Sequence, residues 1–316
     1  SEDNYIRHLP VEAFRLQKRG GKGLKGVTTK DEDFPKSILT CFSKDRLLIF
    51  TDQGRVYGLK AWETPQGSRH SRGSHIRNLI ERIREDEKVV TILPISKELQ
   101  ENPEGQFLIF ATHEGIVKRS KLADYTRINR NGKYALKFKS ETDTLVAVRA
   151  ATEDDHIVMV SKNGRACRFK PSETKLKEDG TTVFTVKVQG RVTAGVRGMS
   201  LKEGDAVVGM IATSNEDTHV LTLSKFGMAK RSKLGDGEMH QVLDENGKPV
   251  IDLRTGEVKQ ERDGYRKTNR GAGGVGTMKL DEEHGDEIVR VHTIPDLGDQ
   301  LFLLTKKGMM IRVRAN

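Results

Sequence analysis

The sequence has only two cysteines, Cys41 and Cys167, and neither stands in a CxxC or Cys/His spacing. That excludes a disulfide framework and a cysteine-based zinc site, and both thiols read as reduced packing residues of a cytosolic protein. Aromatic residues make up 5% of the chain, too few for a surface that recognises single strands by stacking bases on rings. No apolar run approaches the ~18 residues of a membrane-crossing helix. The opening "SEDNYIRHLP" lacks the charged-then-apolar order of a signal peptide. The expectation is therefore a cytoplasmic chain with no membrane partner. Positive charge, by contrast, is abundant. Lys and Arg number 55 against 45 Asp and Glu in 316 residues, a net charge of +10. Such a balance favours a polyanionic partner, and with so few rings it favours phosphate contact along a duplex.

A short phrase recurs: "LLIFTDQG" (47–54), "LIFATHEG" (108–115), "IVMVSKNG" (157–164), "VLTLSKFG" (220–227) and "LFLLTKKG" (301–308). Each copy has a mostly apolar run, then Ser or Thr three residues before a glycine. The opening "SEDN" fits the same frame with Asn4 in the glycine's place. The apolar run suits a strand buried on both faces, and the hydroxyl–glycine pair suits a tight hairpin closing in the left-handed region. Glycine-rich landmarks lie upstream at Gly20–Gly26, 71–75, 129–133, 194–199 and 271–276, and a second apolar run, led by Asp143, Asp205 or Asp286, lies between. The unit is about four short strands, repeated five times with a sixth split at the N-terminus. This predicts an all-β, propeller-like ring of four-stranded blades filling a single domain over 1–316. A polar hairpin insertion is expected at about 238–266, with turns at Asn246-Gly247 and Thr255-Gly256. Ile76, Leu79, Ile80 and Ile83 have the spacing of a short helical turn.

The fourth and sixth residues after each hairpin glycine are Gly58 and Lys60, Arg119 and Lys121, Arg168 and Lys170, Arg231 and Lys233, and Arg312 and Arg314. Nine of these ten are basic and none is acidic, although Lys and Arg are 55 of 316 residues. Alternate residues share one face of a strand, so the pairs predict a basic belt around the rim. A merely solvated face would mix both signs. Phosphate contacts along such a belt would hold DNA without reading its sequence, and no zinc finger or helix-turn-helix is present to read bases.

The segment Gln17-Lys18-Arg19-Gly20-Gly21-Lys22-Gly23 packs three cations among three glycines. Glycine lets backbone N–H groups approach phosphate oxygens, and the cations add charge. Two GxGxxG matches, from Gly21 and from Gly271, open no helix of a βαβ unit and read as turns. Lys22 is followed by no Ser or Thr, so a nucleotide P-loop is absent. His70 and His75 have no third ligand nearby and read as surface residues rather than a metal pair. No catalytic arrangement stands out.

With its repeats and this loop, the chain resembles the C-terminal domain of the A-type polypeptides of DNA gyrase. Gln17–Gly23 matches that family's Gln-Arg-Arg-Gly-Gly-Lys-Gly box at six of seven positions, with Lys18 in place of an arginine. "GRVYGLK" (54–60), "AGVRGMSL" (194–201) and "GMAKRSKL" (227–234) resemble further family phrases. The resemblance implies a six-bladed β-pinwheel, in which neighbouring blades exchange strands, and the "SEDN" start leads to the expectation of a first blade short of an inner strand. It implies a monomeric, non-catalytic module of an ATP-dependent type IIA topoisomerase, located at the nucleoid. That module bends and wraps duplex DNA around its rim so that the holoenzyme introduces negative supercoils. The implied partners are double-stranded DNA, the rest of the gyrase A polypeptide and the gyrase B polypeptide, while ATP and Mg act elsewhere in the assembly. The related topoisomerase IV domain, which generally lacks an intact box, and a propeller that docks acidic proteins are the alternatives.

Overall fold

The computed structural model describes residues 1–10, 36–68, 71–80, 82–296, 300–304 and 310–314. The box, Gln17–Gly23, lies outside the described residues. Those described are strands and loops, with short 3-10 turns and one helix, α1 (Lys97–Glu101).

Five antiparallel hairpins follow the repeated phrase: β2 (Arg46–Thr51) with β3 (Arg55–Lys60), β6 (Phe107–Thr112) with β7 (Ile116–Lys121), β10 (His156–Ser161) with β11 (Arg165–Phe169), β16 (His219–Ser224) with β17 (Ala229–Lys233), and β22 (Gln300–Leu304) with β23 (Met310–Arg314). Gly54, Gly115, Gly164 and Gly227 close the first four turns at φ of 71°, 83°, 77° and 86°, a region other residues enter at a steric cost. Each donates its N–H to the carbonyl of the Ser or Thr three residues earlier. The hydroxyls of Thr112, Ser161 and Ser224 accept the N–H four residues on, from Ile116, Arg165 and Met228 at 3.1, 3.4 and 3.2 Å. Ser1 and Asn4 build the same turn ahead of β1 (Tyr5–Ile6): Asn4 has φ 60°, and the Ser1 hydroxyl accepts from Tyr5 at 3.1 Å.

The second apolar run supplies a strand on the other side of each hairpin. β5 (Val89–Ile95), β9 (Leu145–Ala151), β15 (Val207–Thr213) and β21 (Ile288–Ile294) pair with β2, β6, β10 and β16. The aspartate leading three of these runs has a local task. A carboxylate oxygen of Asp143 accepts the N–H of Glu114 and Thr144, that of Asp205 those of Asn163 and Ala206, and that of Asp286 those of Phe226 and Glu287. Each therefore ties a hairpin turn to the start of the next strand.

The glycine-rich landmarks supply the outermost strands, and here the chain crosses between units. β4 (Ser74–His75) pairs with β1, β8 (Lys133–Tyr134) with β3, β14 (Val196–Arg197) with β7, and β20 (Val275–Gly276) with β11. Each of these strands comes only after the next hairpin in the chain has been laid down, and then returns to cover the edge of the earlier sheet. This exchange makes the fold a six-bladed β-pinwheel: five hairpin sheets and the β1–β4 pair are its units. Among the described residues no strand covers the outer edge of β17.

Sheets stack face to face. Leu48, Phe50 and Val56 meet Leu108, Phe110 and Val148, with the Phe50 and Phe110 rings edge-on at 5.7 Å. Ile109, Val117 and Ala147 meet Ile157, Met159 and Val207, and Val158 and Val160 meet Val220 and Val291. Each such side chain contributes about 1.5–3 kcal/mol by leaving water. Of the apolar residues at helical spacing, Ile76, Ile80 and Ile83 are buried against Leu47, Ile49 and Tyr57. The helical part is limited to a 3-10 turn at Ile76–Asn78, directly after β4.

Two further hairpins project from the sheets: β12 (Thr174–Leu176) with β13 (Thr182–Phe184), and β18 (Met239–Gln241) with β19 (Gln260–Arg262). The second continues through bridges Leu243–Pro249 and Ile251–Val258, with Gly247 and Gly256 at φ 75° and 73°.

Candidate nucleic-acid interface

The fourth-position cations do not share one environment: Arg231 is exposed, whereas two others are enclosed. Arg119 and Arg168 are both 1% exposed. They share a strand face with Lys121 and Lys170, as alternation requires, but that face is turned to the neighbouring blade, and only the sixth-position residue, near the end of its strand, reaches solvent. The Arg119 guanidinium lies 3.9 Å above the Phe107 ring and 3.4 Å from Glu153. Arg168 donates to the carbonyls of Leu234 and Tyr265 at 2.8 and 2.9 Å, joining its blade to the next. Burial pushes both guanidiniums below their ordinary range. Gly58, the exception in the pattern, has a matching cause: an added Cβ would collide with the Ile128 backbone, and Arg46 from the paired strand donates to the Ile128 carbonyl instead.

The sixth-position residues fare differently. Lys60 and Lys121 are exposed. Lys170 is half-buried and 3.2 Å from Asp154. Lys233 is also half-buried, 3.1 Å from Asp263 and 3.8 Å from Asp217. Arg314, like the fourth-position Arg312, belongs to β23.

A different set of cations lines the outside. The segments that cross to cover β1, β3, β7 and β11 are in register with one another, because Gly73, Gly132, Gly195 and Gly274 each stand one residue before the outer strand, at φ of 79°, 70°, 78° and 72°. At Gly274 a Cβ would come 2.6 Å from the Ala166 carbonyl, so the close approach needs glycine. Residues 65–75, 126–134, 186–197 and 265–276 contain no Asp or Glu, although acids are 45 of the 316 residues. Their exposed cations are Arg72; Arg127, Arg130 and Lys133; Lys187 and Arg197; and Arg266, Lys267 and Arg270. Arg191 is half-buried and donates to the Asp124 carbonyl at 3.0 Å. Arg130 reaches out of its segment to Glu63 at 2.7 Å. Position counting from the hairpin glycine misses all of these. The local lack of acids around the glycine landmarks is the signal that would have found them.

Beneath this layer lies a row of internal tethers. The Lys118 ammonium, fully buried, donates to the carbonyls of Ala135, at 2.6 Å, and Arg191, on two successive crossing segments. Burial lowers its pKa to about 7. Lys230 repeats half of the arrangement, donating to Thr277 at 2.7 Å. His156, beside Arg168, Lys170 and Lys267, is driven down to about 4, by burial first and by those cations second.

The Gly271–Gly276 match runs into β20 and opens no helix. His75 accepts the Arg77 N–H at 3.2 Å at the start of the Ile76–Asn78 turn, while His70 lies outside the described residues. Among the described residues no group of three or more His, Cys, Asp or Glu could hold a metal ion, and no helix is long and apolar enough to cross a membrane.

Comparison with known proteins agrees with this architecture. A family model described as "DNA gyrase C-terminal domain, beta-propeller" matches residues 1–39, 45–96, 106–152, 155–173, 181–214, 218–236, 261–295 and 299–316. The A polypeptide of DNA gyrase from Staphylococcus epidermidis is 37% identical over 314 residues, and that from Staphylococcus aureus 36% identical over the same length. Each alignment takes in 99% of this chain and 30% of the relative, so the chain spans under a third of these relatives' length. Among solved structures, the C-terminal domain of DNA topoisomerase IV superposes with a TM-score of 0.67 at 22% identity, covering 99% of this chain and 81% of that one. A DNA gyrase A C-terminal domain superposes with 0.52 at 21%, covering 92% and 96%. At these identities the two structures speak to the fold.

Proposed function

The chain belongs to the DNA gyrase C-terminal domain, beta-propeller, family, and from that premise we propose that it binds duplex DNA without sequence preference and bends it around its outer edge. The observation that carries the reading is the run of acid-free, cation-bearing crossing segments along the outside of successive blades. Cations on a curved edge suit a sugar–phosphate backbone, and the lack of base-reading elements suits sequence-neutral contact. Bending ~40 bp through half a turn costs roughly 11 kcal/mol in a smooth elastic estimate. Offsetting it takes about ten distributed phosphate contacts, which makes binding steeply salt-dependent at about −0.9 per contact.

In this reading the box Gln17–Gly23 joins the wrap, and the wrap presents DNA to a strand-passing gate formed with the rest of the gyrase A polypeptide and with gyrase B. Strand cleavage and ATP use, with its Mg, belong to those partners, and this chain contributes geometry. The setting is the cytoplasm, at the nucleoid. The test is a salt titration against duplexes of increasing length, followed by a supercoiling assay of the reconstituted enzyme carrying Lys18→Ala, Arg19→Ala and Lys22→Ala together. Affinity and bending that grow with length over tens of base pairs, with supercoiling lost and relaxation kept, are expected. Weak, length-independent binding would refute the wrap and favour a protein-docking ring. Supercoiling retained by the box variant would remove the box from it and favour a topoisomerase IV-like role.

A further inference from the structure

The longest stretch that the family model leaves unmatched is 237–260, the body of the hairpin that carries β18 and most of its turn. It holds five carboxylates against three Lys or Arg and leads into a crossing segment, 265–276, that has no acid. The hairpin's foot is closed by three bonds: Gly237 donates its N–H to the Asp263 carbonyl at 2.8 Å, Asp263 donates its N–H to the Glu238 carbonyl at 3.0 Å, and Arg262 donates to the Gly237 carbonyl at 2.6 Å. In this position the Glu238 carboxylate lies 3.3 Å from the Lys267 ammonium. The crossing segment that contains Lys267 has no acid of its own, so an acid that meets Lys267 must come from another element, and it comes from the insertion. At the same foot, Asp263 holds Lys233 at 3.1 Å. Two rim cations beside the insertion, Lys233 and Lys267, are thus engaged by carboxylates; on the blades of β3 and β7 Arg130 is engaged by Glu63, while the Lys60 and Lys121 side chains are exposed and meet no carboxylate among the described residues. The Glu238–Lys267 pair is exposed on both sides, with side chains 63% and 43% accessible. A pair of that kind is weak, and phosphate can displace it.

We propose that the inserted hairpin is a built-in competitor for phosphate. Glu238 occupies Lys267 where a DNA phosphate would sit, so the nucleic-acid track is weakest beside the insertion and is biased toward the blades of β3 and β7. The proposal rests on the duplex-binding reading above. It is tested with the intact protein on a duplex of ~40 bp, by fluorescence anisotropy across a salt series. Glu238→Gln is expected to tighten binding about fivefold near 0.15 M salt and to steepen the log–log slope by about 0.9, the share of one released contact. Lys267→Ala alone should shift affinity less than twofold, and in the Glu238→Gln background it should erase the gain. Glu245→Gln, at the exposed hairpin tip, removes the same charge without freeing Lys267 and should give less than half the effect. No gain from Glu238→Gln, an equal gain from Glu245→Gln, or equal losses from Lys267→Ala in both backgrounds would each overturn the proposal while leaving duplex binding standing. Failure of the unaltered protein to bind the duplex would overturn both.

Discussion

Replacing Arg127, Arg130 and Lys133 by alanine strips one crossing segment of its charge and leaves its apolar anchors, Ile128, Ala135 and Leu136, in the core. At 0.15 M salt each phosphate contact made by a cation is worth about 0.9 × log(1/0.15), or roughly fivefold in affinity. Three lost contacts amount to on the order of a hundredfold, and the log–log salt slope shallows by up to ~2.7. If the pairing of Arg130 with Glu63 already keeps that residue off the DNA, two contacts are lost, the fall is nearer ~30-fold and the slope changes by ~1.8. The partner experiment is Arg168→Ala. It leaves the carbonyls of Leu234 and Tyr265 without their donor, which costs about 2–4 kcal/mol of stability, and it should leave the salt slope unchanged within experimental scatter. Anisotropy on a duplex of ~40 bp, repeated from about 50 to 300 mM salt, reads the first quantity, and urea denaturation reads the second. The assignment of charge to the crossing segments is refuted if Arg168→Ala flattens the slope while the triple variant does not.

Lys118→Met should remove a pH dependence. Burial lowers the folded-state pKa of Lys118 from 10.5 to about 7, so between those values the unfolded chain binds more protons and stability rises with pH. The variant should lose that rise when urea midpoints at about pH 6.5 and 9.5 are compared, and it should also lose stability at both pH values because the Ala135 and Arg191 carbonyls are left without their donor. Gly274→Ala puts a Cβ against the Ala166 carbonyl at positive φ and should cost about 1–3 kcal/mol, with faster amide exchange at Val275 as its local sign. Asp205→Ala removes the acceptor of two N–H groups at 2.8 and 3.1 Å. A loss of about 1–3 kcal/mol, read by thermal or urea unfolding, should leave DNA binding at low temperature intact.

The hairpins were legible because their determinants are local. A hydroxyl three residues before a glycine states both the turn and its closing bond, and even Asn4 obeys it. The polar insertion was readable for the same reason, from Asn246-Gly247 and Thr255-Gly256. The crossing strands were half legible. Their glycines stood out and their spacing was regular, but their pairing with an earlier sheet joins residues as distant as Arg165 and Gly276, and no local pattern states that. Two members of the basic pairs, Arg119 and Arg168, lie buried for a reason that no local pattern states. Alternation correctly put Arg168 and Lys170 on one face, yet whether that face meets water or the next blade depends on how sheets stack. A recurring cation reads alike whether it grips phosphate or, like Arg168, pins carbonyls between blades.

The crossing segments also set a schedule for synthesis. When the ribosome has finished β11 at Phe169, the strand that will seal its free edge is still more than a hundred residues from being made, at Val275–Gly276. The nascent chain therefore carries raw sheet edges for much of its emergence, a standing invitation to pair with a neighbouring chain on a crowded polysome. A release factor acting early, or a nonsense mutation between a hairpin and its distant seal, leaves a product with a sticky rim rather than a shorter working one.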